Sequence, residues 1–513
     1  MFKNIPSRIF LLFCLFNSFI AYSQMSLTVG PDLPHKKGVH LFKVLGKINN
    51  DVYSIWIDPN GKGGNDEYFI EKYDLTTLQQ EYSVAVDMNN DKGDNTTITD
   101  VFLLNNKIIF LSGDESLKYY TFYAQVHSLD GTVEKPMFVL AKEDNLGGMR
   151  FNGFYNSRTE TIMLSIHRDG KALQINDRFQ VFSANDFSML KEKSFPTYTE
   201  GEEDHNYSGF VCEKDGTFHY MHIETQLKED NKRVFKSKLY FCYTAPDRNE
   251  QEVRIGQDGE TFFGISQGYL KQQNAYIVAG IKARDREYYS FVCTIDAKTG
   301  DIVKYMELQM KMHDSDKMEW EFHNQGSHNL RFSDHELAYS NGIVWVVGEQ
   351  YFIDLDHVTG YFFDLAAAHF NLEDNTSGWI NLPKREHLKA RYTLISPTNY
   401  IFMKNAKLEV LYMDSEANLK ALQNQNYKAS DLELVVEHDN STLVLAEIDT
   451  TNKIVRKTAS SDAAKTFHLH CRTAPNKARI MYENLLCLEL SDNSMLVFLE
   501  DNNKGKWAIL SNF

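Results

Sequence analysis

The chain is poor in the features that punctuate multidomain and cross-linked proteins. Only 10 of its 513 residues are proline, and no Pro- or Ser-rich stretch interrupts it. Independent modules strung on linkers, such as two or three β-sandwiches, are therefore disfavoured. Six cysteines are widely spaced. Cys14 lies in the leader-like first 23 residues, which leaves Cys212, Cys242, Cys293, Cys471 and Cys487. An odd, scattered set is no disulfide framework. Cys242 in "LYFCYT" and Cys293 in "SFVCTI" read instead as small buried hydrophobes, while one disulfide stays compatible with an oxidising compartment. Positive charge is also short. Fifty-four Lys and Arg face seventy Asp and Glu, for a net charge of −16. Such a surface excludes the phosphate-backbone binding on which nucleic-acid recognition rests. Helical periodicity is scarce, and beyond residue 21 no apolar run approaches the length of a membrane span.

The first residues have the layout of an export leader. Lys3 and Arg8 precede the apolar "IFLLFCLFNSFIA" (9–21), and Ala21 and Ser23 are small residues placed for a cut before Gln24. Residues 1–23 are thus expected to be removed, leaving a mature chain of charge −18 that is exported to the periplasm or beyond.

What the chain has in abundance is short apolar runs that come in pairs. "VFLLNNKIIFLSGD" (101–114) returns as "IFMKNAKLEVLYMD" (401–414) and "LLCLELSDNSMLVFLED" (485–501). Related phrases start at residues 40, 153, 209, 264 and 337, which makes eight hairpins. A second kind of pair lies between them, as in "YFIEKYDLTTLQQEYSVAV" (68–86), "YAQVHSLDGTVEKPMFVLA" (123–141) and "LELVVEHDNSTLVLAEI" (432–448). The unit is four antiparallel strands in roughly 55–65 residues, a period that points to a β-propeller. A lone four-stranded sheet cannot bury both faces, whereas blades packed around an axis can. The expectation is an all-β fold over 24–513: a single β-propeller of eight (alternatively seven) four-stranded antiparallel blades, closed by N- and C-terminal strands. The blades are expected near 39–90, 96–142, 149–197, 206–256, 262–309, 328–383, 390–449 and 478–513, the last completed by 24–33. "KGKWAILSNF" (504–513) reads as a third strand without a fourth, and "QMSLTVGPDL" (24–33) as the strand that supplies it.

No Trp-Asp dipeptide or paired-glycine motif marks the blades. The best-defined blade reads "VWVVGEQYF" (344–352) and then "GYFFDLAAAHFNLEDNTSGWINLPKRE" (360–386). This stretch resembles a blade of uncharacterised propeller families secreted by bacteria. Those blades have a Val-Gly-Glu-Gln strand, an aromatic-rich strand leading to a turn, and a Trp before an "IPK"-like end. The chain departs from them at "NLPK" (381–384) and "AAAHF" (366–370). The resemblance covers one blade and implies fold and export. It implies no catalytic residue.

Candidate chemistry is thin. "SSDAAKTF" (460–467) is similar to the Asp-box of sialidase-like propellers, but Ala464 stands where Gly is expected and no arginine triad accompanies it. "KMHDSDKMEWEFHNQGSHNLRFSDHE" (311–336) gathers the most His and acid, with His313, Asp316, His323 and His328 as the leading ligand-binding candidates in a rim loop. "EGEEDHNYSG" (200–209) supplies a second acidic loop with Glu202, Glu203, Asp204 and His205. In "HYMHIE" (219–224), alternation points His219 and His222 apart, whereas His468 and His470 in "HLHC" share a face. "DMNNDKGDN" (87–95) has Asp87, Asn89 and Asp91 at calcium-loop spacing, but its Gly falls late and no Glu closes it. No metal set and no cofactor is therefore expected, beyond adventitious calcium. The reading that follows is a monomeric binding scaffold for a protein, peptide or glycan of the cell envelope. The alternatives are a polysaccharide hydrolase or lyase using loop carboxylates, and a purely structural role in a surface assembly.

Overall fold

The residue pattern "KIIFLSGDE" shows how one strand serves two neighbours. In the strand Lys107–Glu115, Ile108 and Phe110 pack with Tyr53, Ile55 and Ile70, while Ile109 and Leu111 pack with Ile162 and Leu164 on the other side. Successive side chains leave opposite faces of a strand, so a middle strand buried on both faces must be apolar at nearly every position. Outer strands need only one apolar face. Gln80–Val86 accordingly alternates between exposed and partly buried positions.

The computed structural model describes residues 25–512 with breaks, the longest being 311–330, 390–398, 424–431, 460–467 and 474–483. The expected leader, residues 1–23, lies outside the described residues, as does the whole Asp-box-like segment 460–467. Among the described residues, no helix is long and apolar enough to cross a membrane.

Eight antiparallel sheets follow one another along the chain, at 40–86, 97–144, 149–197, 203–255, 261–310, 331–389, 400–458 and 488–511. Each is a meander of four principal strands, A to D, counted from the axis outward. Blade six adds short pairings of Arg331–Phe332 and Glu386–Lys389, and Val435–Val436 joins its edge in parallel. Consecutive blades share apolar clusters all the way round. Met163 and Phe179 meet Phe218 and Tyr220 between blades three and four. Trp345 and Val347 meet Val410 and Tyr412 between blades six and seven. The circle closes where Leu496, Phe498 and Trp507 of blade eight meet Val52, Trp56 and Tyr73 of blade one. Each fully buried side chain of this size contributes roughly 1.5–3 kcal/mol, and ring closure leaves no blade face uncovered. The molecule is an eight-bladed β-propeller.

The clasp lies where the sequence places it. Ser26–Val29 is the outer strand of blade eight and pairs antiparallel with Lys504–Ser511, from Ser26 opposite Ser511 to Val29 opposite Ala508. Gly30 N–H donates to Trp507 O at 2.8 Å, and Leu33 N–H to Gly505 O at 3.0 Å. His35 then stacks on Trp56, with ring centroids 3.9 Å apart.

Two readings need correction. Residues 203–209 are not a rim loop, since Glu203–Cys212 is the inner strand of blade four. Their polarity reflects a strand that runs past the apolar core. Blade seven does not end at 449, and 432–448 does not form its outer pair of strands. Lys407–Ser415 pairs directly with Ser441–Ile448, and the outer strand is Ile454–Thr458. Between the paired strands lies an insertion containing α1 (Glu416–Ala421), capped by Ser415 Oγ, which accepts from Asn418 N–H. The run "LELVV" resembles a strand in composition, but its Val435–Val436 pairs with blade six instead.

Candidate functional site

A meander of four strands gives a propeller two unlike rims. The A–B and C–D turns leave from one rim, and the B–C and D–A connections from the other. The first rim is closed by its own residues. Asn49, Asn105, Asn274, Asn341 and Asn405 take the left-handed conformation in A–B turns, which Asn tolerates better than most residues. Nearly every C–D turn opens on a side-chain acceptor. Asp74 Oδ1 accepts from Thr76 and Thr77 N–H at 3.0 and 2.8 Å. Asp296 Oδ1 accepts from Lys298 and Thr299 N–H at 2.7 and 2.8 Å, and Asp449 Oδ1 from Thr451 N–H at 2.8 Å. Hydrogen bonds from backbone N–H groups hold Asp74 and Asp296 below the usual carboxylate range, and in Asp449 the Thr451 hydroxyl does most of this work. These groups are occupied by the turns they build.

The opposite rim carries the long connections. Strand ends at Thr197, Met310 and Ser415 and strand starts at Glu203, Arg331 and Ser441 all lie on it. Two polar clusters lie on it over blades four and five. His205 on the inner strand of blade four reaches His222 on the next strand, Nδ1 to Nε2 at 2.9 Å. Tyr207 stacks on His222 at 4.6 Å between centroids, and Tyr240 flanks it at 5.5 Å. Burial, then the neighbouring His205, pushes His222 down to about 4, so its imidazole is neutral at physiological pH. Glu224 and Lys238 pair beside it at 2.6 Å.

Blade five contributes a buried charge network. Lys282 Nζ donates to Glu260 Oε1 at 2.5 Å, Glu307 Oε2 at 2.6 Å and Tyr305 OH at 2.7 Å. Lys282 and Glu260 are both fully buried. Glu260 also accepts from Gln257 N–H at 2.8 Å, which ties down the D–A connection that carries it. Arg284 reaches Glu307 at 3.0 Å and lies over the Tyr289 ring. Burial works to raise Glu307, but Lys282 and Arg284 override it and hold the carboxyl below its ordinary value. All three lysine donors are used, so this network fixes the rim rather than offering a nucleophile.

Of the candidates read from sequence, His205 is brought into a cluster. Glu203 and Asp204 sit in strand register opposite Gln226 and Thr225. Glu202, His313, Asp316, His323 and His328 lie outside the described residues. His219 and His222 do point apart. His219 faces Tyr276 of blade five, at 4.2 Å between centroids, while His222 faces Tyr207. At 87–95, Asp87 Oδ1 accepts from Asn89 N–H at 3.0 Å and Asn89 Nδ2 at 2.7 Å. Cys212, Cys242, Cys293 and Cys487 are free and buried, and Cys471 lies outside the described residues.

No family model and no curated protein matches this chain. Among solved structures, the WD40 domain of SCAP from fission yeast is similar over 95% of this chain and 98% of its own, at 10% identity and a TM-score of 0.36. The Dos1 propeller is similar over 95% and 96%, at 8% identity and a TM-score of 0.39. A polysaccharide lyase, the PL25 ulvan lyase, is similar over 96% and 95%, at 12% identity and a TM-score of 0.38.

Several residues of the rim escape sequence reasoning. Glu260 and Lys282 are 22 positions apart, and nothing in either local pattern signals their pairing. The partnership of His205 and His222 is closer to legible. Both occur in alternating stretches, "DHNYSG" and "HYMHIE", that become neighbouring strands.

Proposed function

We propose that this chain is an exported propeller that holds a protein, peptide or glycan on the rim formed by its B–C and D–A connections. It acts outside the cytoplasm as a monomer and holds its ligand without a cofactor at the rim, calcium at 87–91 being at most adventitious. The observation that carries this reading is the contrast between the rims. One uses its polar groups to close short turns, and the other combines long connections with half-buried histidines, tyrosines and an ion pair. Rigid blades presenting loops from one end are a general solution to ligand binding. The acidic surface favours basic partners, whose association is fastest at low salt.

The test is retention of the purified chain on immobilised peptide and glycan panels at low and moderate salt. Glu224→Ala combined with Lys238→Ala on the ligand rim is expected to abolish retention, whereas Asp296→Ala on the other rim is not. Equal effects of the two changes, or no retention by the unaltered chain, overturn the scaffold reading. A second reading, a polysaccharide hydrolase or lyase, is favoured by one observation. The connections holding Glu202 and those holding His313 and Asp316 leave from the same rim. Release of reducing or unsaturated ends from a polysaccharide panel, lost on Glu202→Gln or Asp316→Asn, would replace the first reading with this one.

A further inference from the structure

Three side chains on three strands of blade four converge in the seam facing blade three. Cys242 lies opposite Tyr220 on one side and Glu252 on the other, and His222 is two residues along from Tyr220. The pleat therefore puts His222, Cys242 and Glu252 on one sheet face. One ligand atom from each lies within 4.8 Å of the others, and Cys242 Sγ is 3.8 Å from Glu252 Oε1. Metal–ligand bonds of about 2.0–2.3 Å in a tetrahedral site place donor atoms roughly 3.3–3.8 Å apart, so little movement separates this arrangement from coordination.

We propose that His222, Cys242 and Glu252 bind a divalent transition-metal ion of the zinc type, with His205 orienting His222. Burial pushes the Cys242 thiol up to about 12, so the ion must displace its proton; the resulting set of thiolate, imidazole and carboxylate suits zinc and disfavours calcium or magnesium. The hydrogen bond between His205 Nδ1 and His222 Nε2 matches the way metal-binding imidazoles are held by an outer partner that sets their tautomer. Glu252 lies at the surface and opens a path for the ion, while Cys242 is fully buried.

A second acidic group shows what such a cluster looks like when protein charge already fills it. Asp51, Asp74 and Glu81 converge equally closely, but Lys72 Nζ stands among them, 2.8 Å from Asp51 and 2.7 Å from Glu81. In the blade-four seam the nearby Lys193 ammonium pairs with Glu250 instead. The ion would tie strands B, C and D of one blade together and leave a fourth coordination position for water.

The experiment uses the full mature chain, zinc-loaded and dialysed, with metal content measured directly and the cobalt-substituted form read by absorbance. The expected result is a single tightly held equivalent and a thiolate-to-cobalt charge-transfer band. Cys242→Ser should lose both. His205→Ala should retain the stoichiometry but bind about 10–100-fold more weakly. If Cys242→Ser fails to fold by circular dichroism, Glu252→Gln decides, because its side chain is at the surface. That variant should keep the native spectrum and weaken binding at least tenfold. Absence of stoichiometric metal in the unaltered chain, persistence of the band in Cys242→Ser, or unchanged affinity in Glu252→Gln overturns the proposal.

Discussion

Asp414 is the residue whose protonation is most coupled to folding. It is wholly buried at the end of a blade-seven strand, and burial raises it to about 6 despite hydrogen bonds from Asn418 Nδ2 and Ser415 N–H. Among the described residues its Oδ2 has no hydrogen-bond partner. The ordinary value is 3.8, so the unfolded chain ionises first as pH rises. Between about pH 4 and 6 the folded state binds more protons than the unfolded one, and stability falls across that window. Above it the full cost, on the order of 3 kcal/mol, is present. Asp414→Asn keeps the accepting oxygen and removes the charge. It is expected to raise the melting temperature at pH 7, with the difference shrinking to nothing near pH 4, as read by calorimetry at both pH values. Little at this scale was legible beforehand. "YMDSEANL" shows an N-capping serine to a reader who expects a helix, but the burial of Asp414 depends on an insertion docking across 15 residues, through Asn418 and Glu433. The metal-binding candidates are hidden for a similar reason. Their spacing is set by strand register, and no contiguous motif records it.

Turns are the elements in which sequence and structure agree best. "YDLTTL", "IDAKTG", "FNLEDN" and "IDTTNK" each carry a side-chain acceptor in second place (Asp74, Asp296, Asn371, Asp449), and a left-handed residue follows it by four positions, or three in the last: Leu78, Gly300, Asn375 and Asn452. The shared phrase is the C–D turn of the blade, and it betrays the repeat even where strands differ. Among these turns, Gly300 is the least replaceable. Its φ is +75°, and a Cβ there would collide with the Tyr243 ring of the preceding blade, whose hydroxyl donates to Thr299 O at 2.8 Å. Gly300→Ala is expected to cost more than the roughly 1–2 kcal/mol of the backbone term alone, whereas Asn452→Gly should change stability by no more than about 0.5 kcal/mol. Denaturant midpoints of the two variants check this. Blade seven keeps this turn, but its strand pairing is misread from sequence because its B–C connection grew by some two dozen residues. That insertion contains an apolar pair fit for a strand. Composition cannot tell which sheet a two-residue bridge will join.

For the whole molecule the decisive join is between the chain's ends. Met25, Leu27 and Val29 pack into the cluster shared by blades seven and eight, and Met25 bridges to Ala459. Removing residues 25–30 leaves the strand Lys504–Ser511 with an open edge and uncovers that cluster. The expected outcome is a markedly lower melting temperature, rapid proteolysis within blade eight, and restoration of both by the missing segment added as a peptide. An unaltered melting temperature and digestion pattern would contradict the clasp. Eight blades and this join were readable from the sequence, because an incomplete final sheet and an orphan first strand each call for the other.

The clasp also dictates an order of events. Ser26 and Ser511 are separated by 485 positions, so the earliest strand made waits for nearly the latest. Bringing such distant points together costs about 5–6 kcal/mol of chain entropy if nothing else is ordered, but progressively less as intermediate blades stack and shorten the span. Until then the newborn protein is an open crescent with a sticky lip. A cell that makes it has reason to complete the chain without pause, because every interrupted molecule exposes an edge on which a neighbour can lodge.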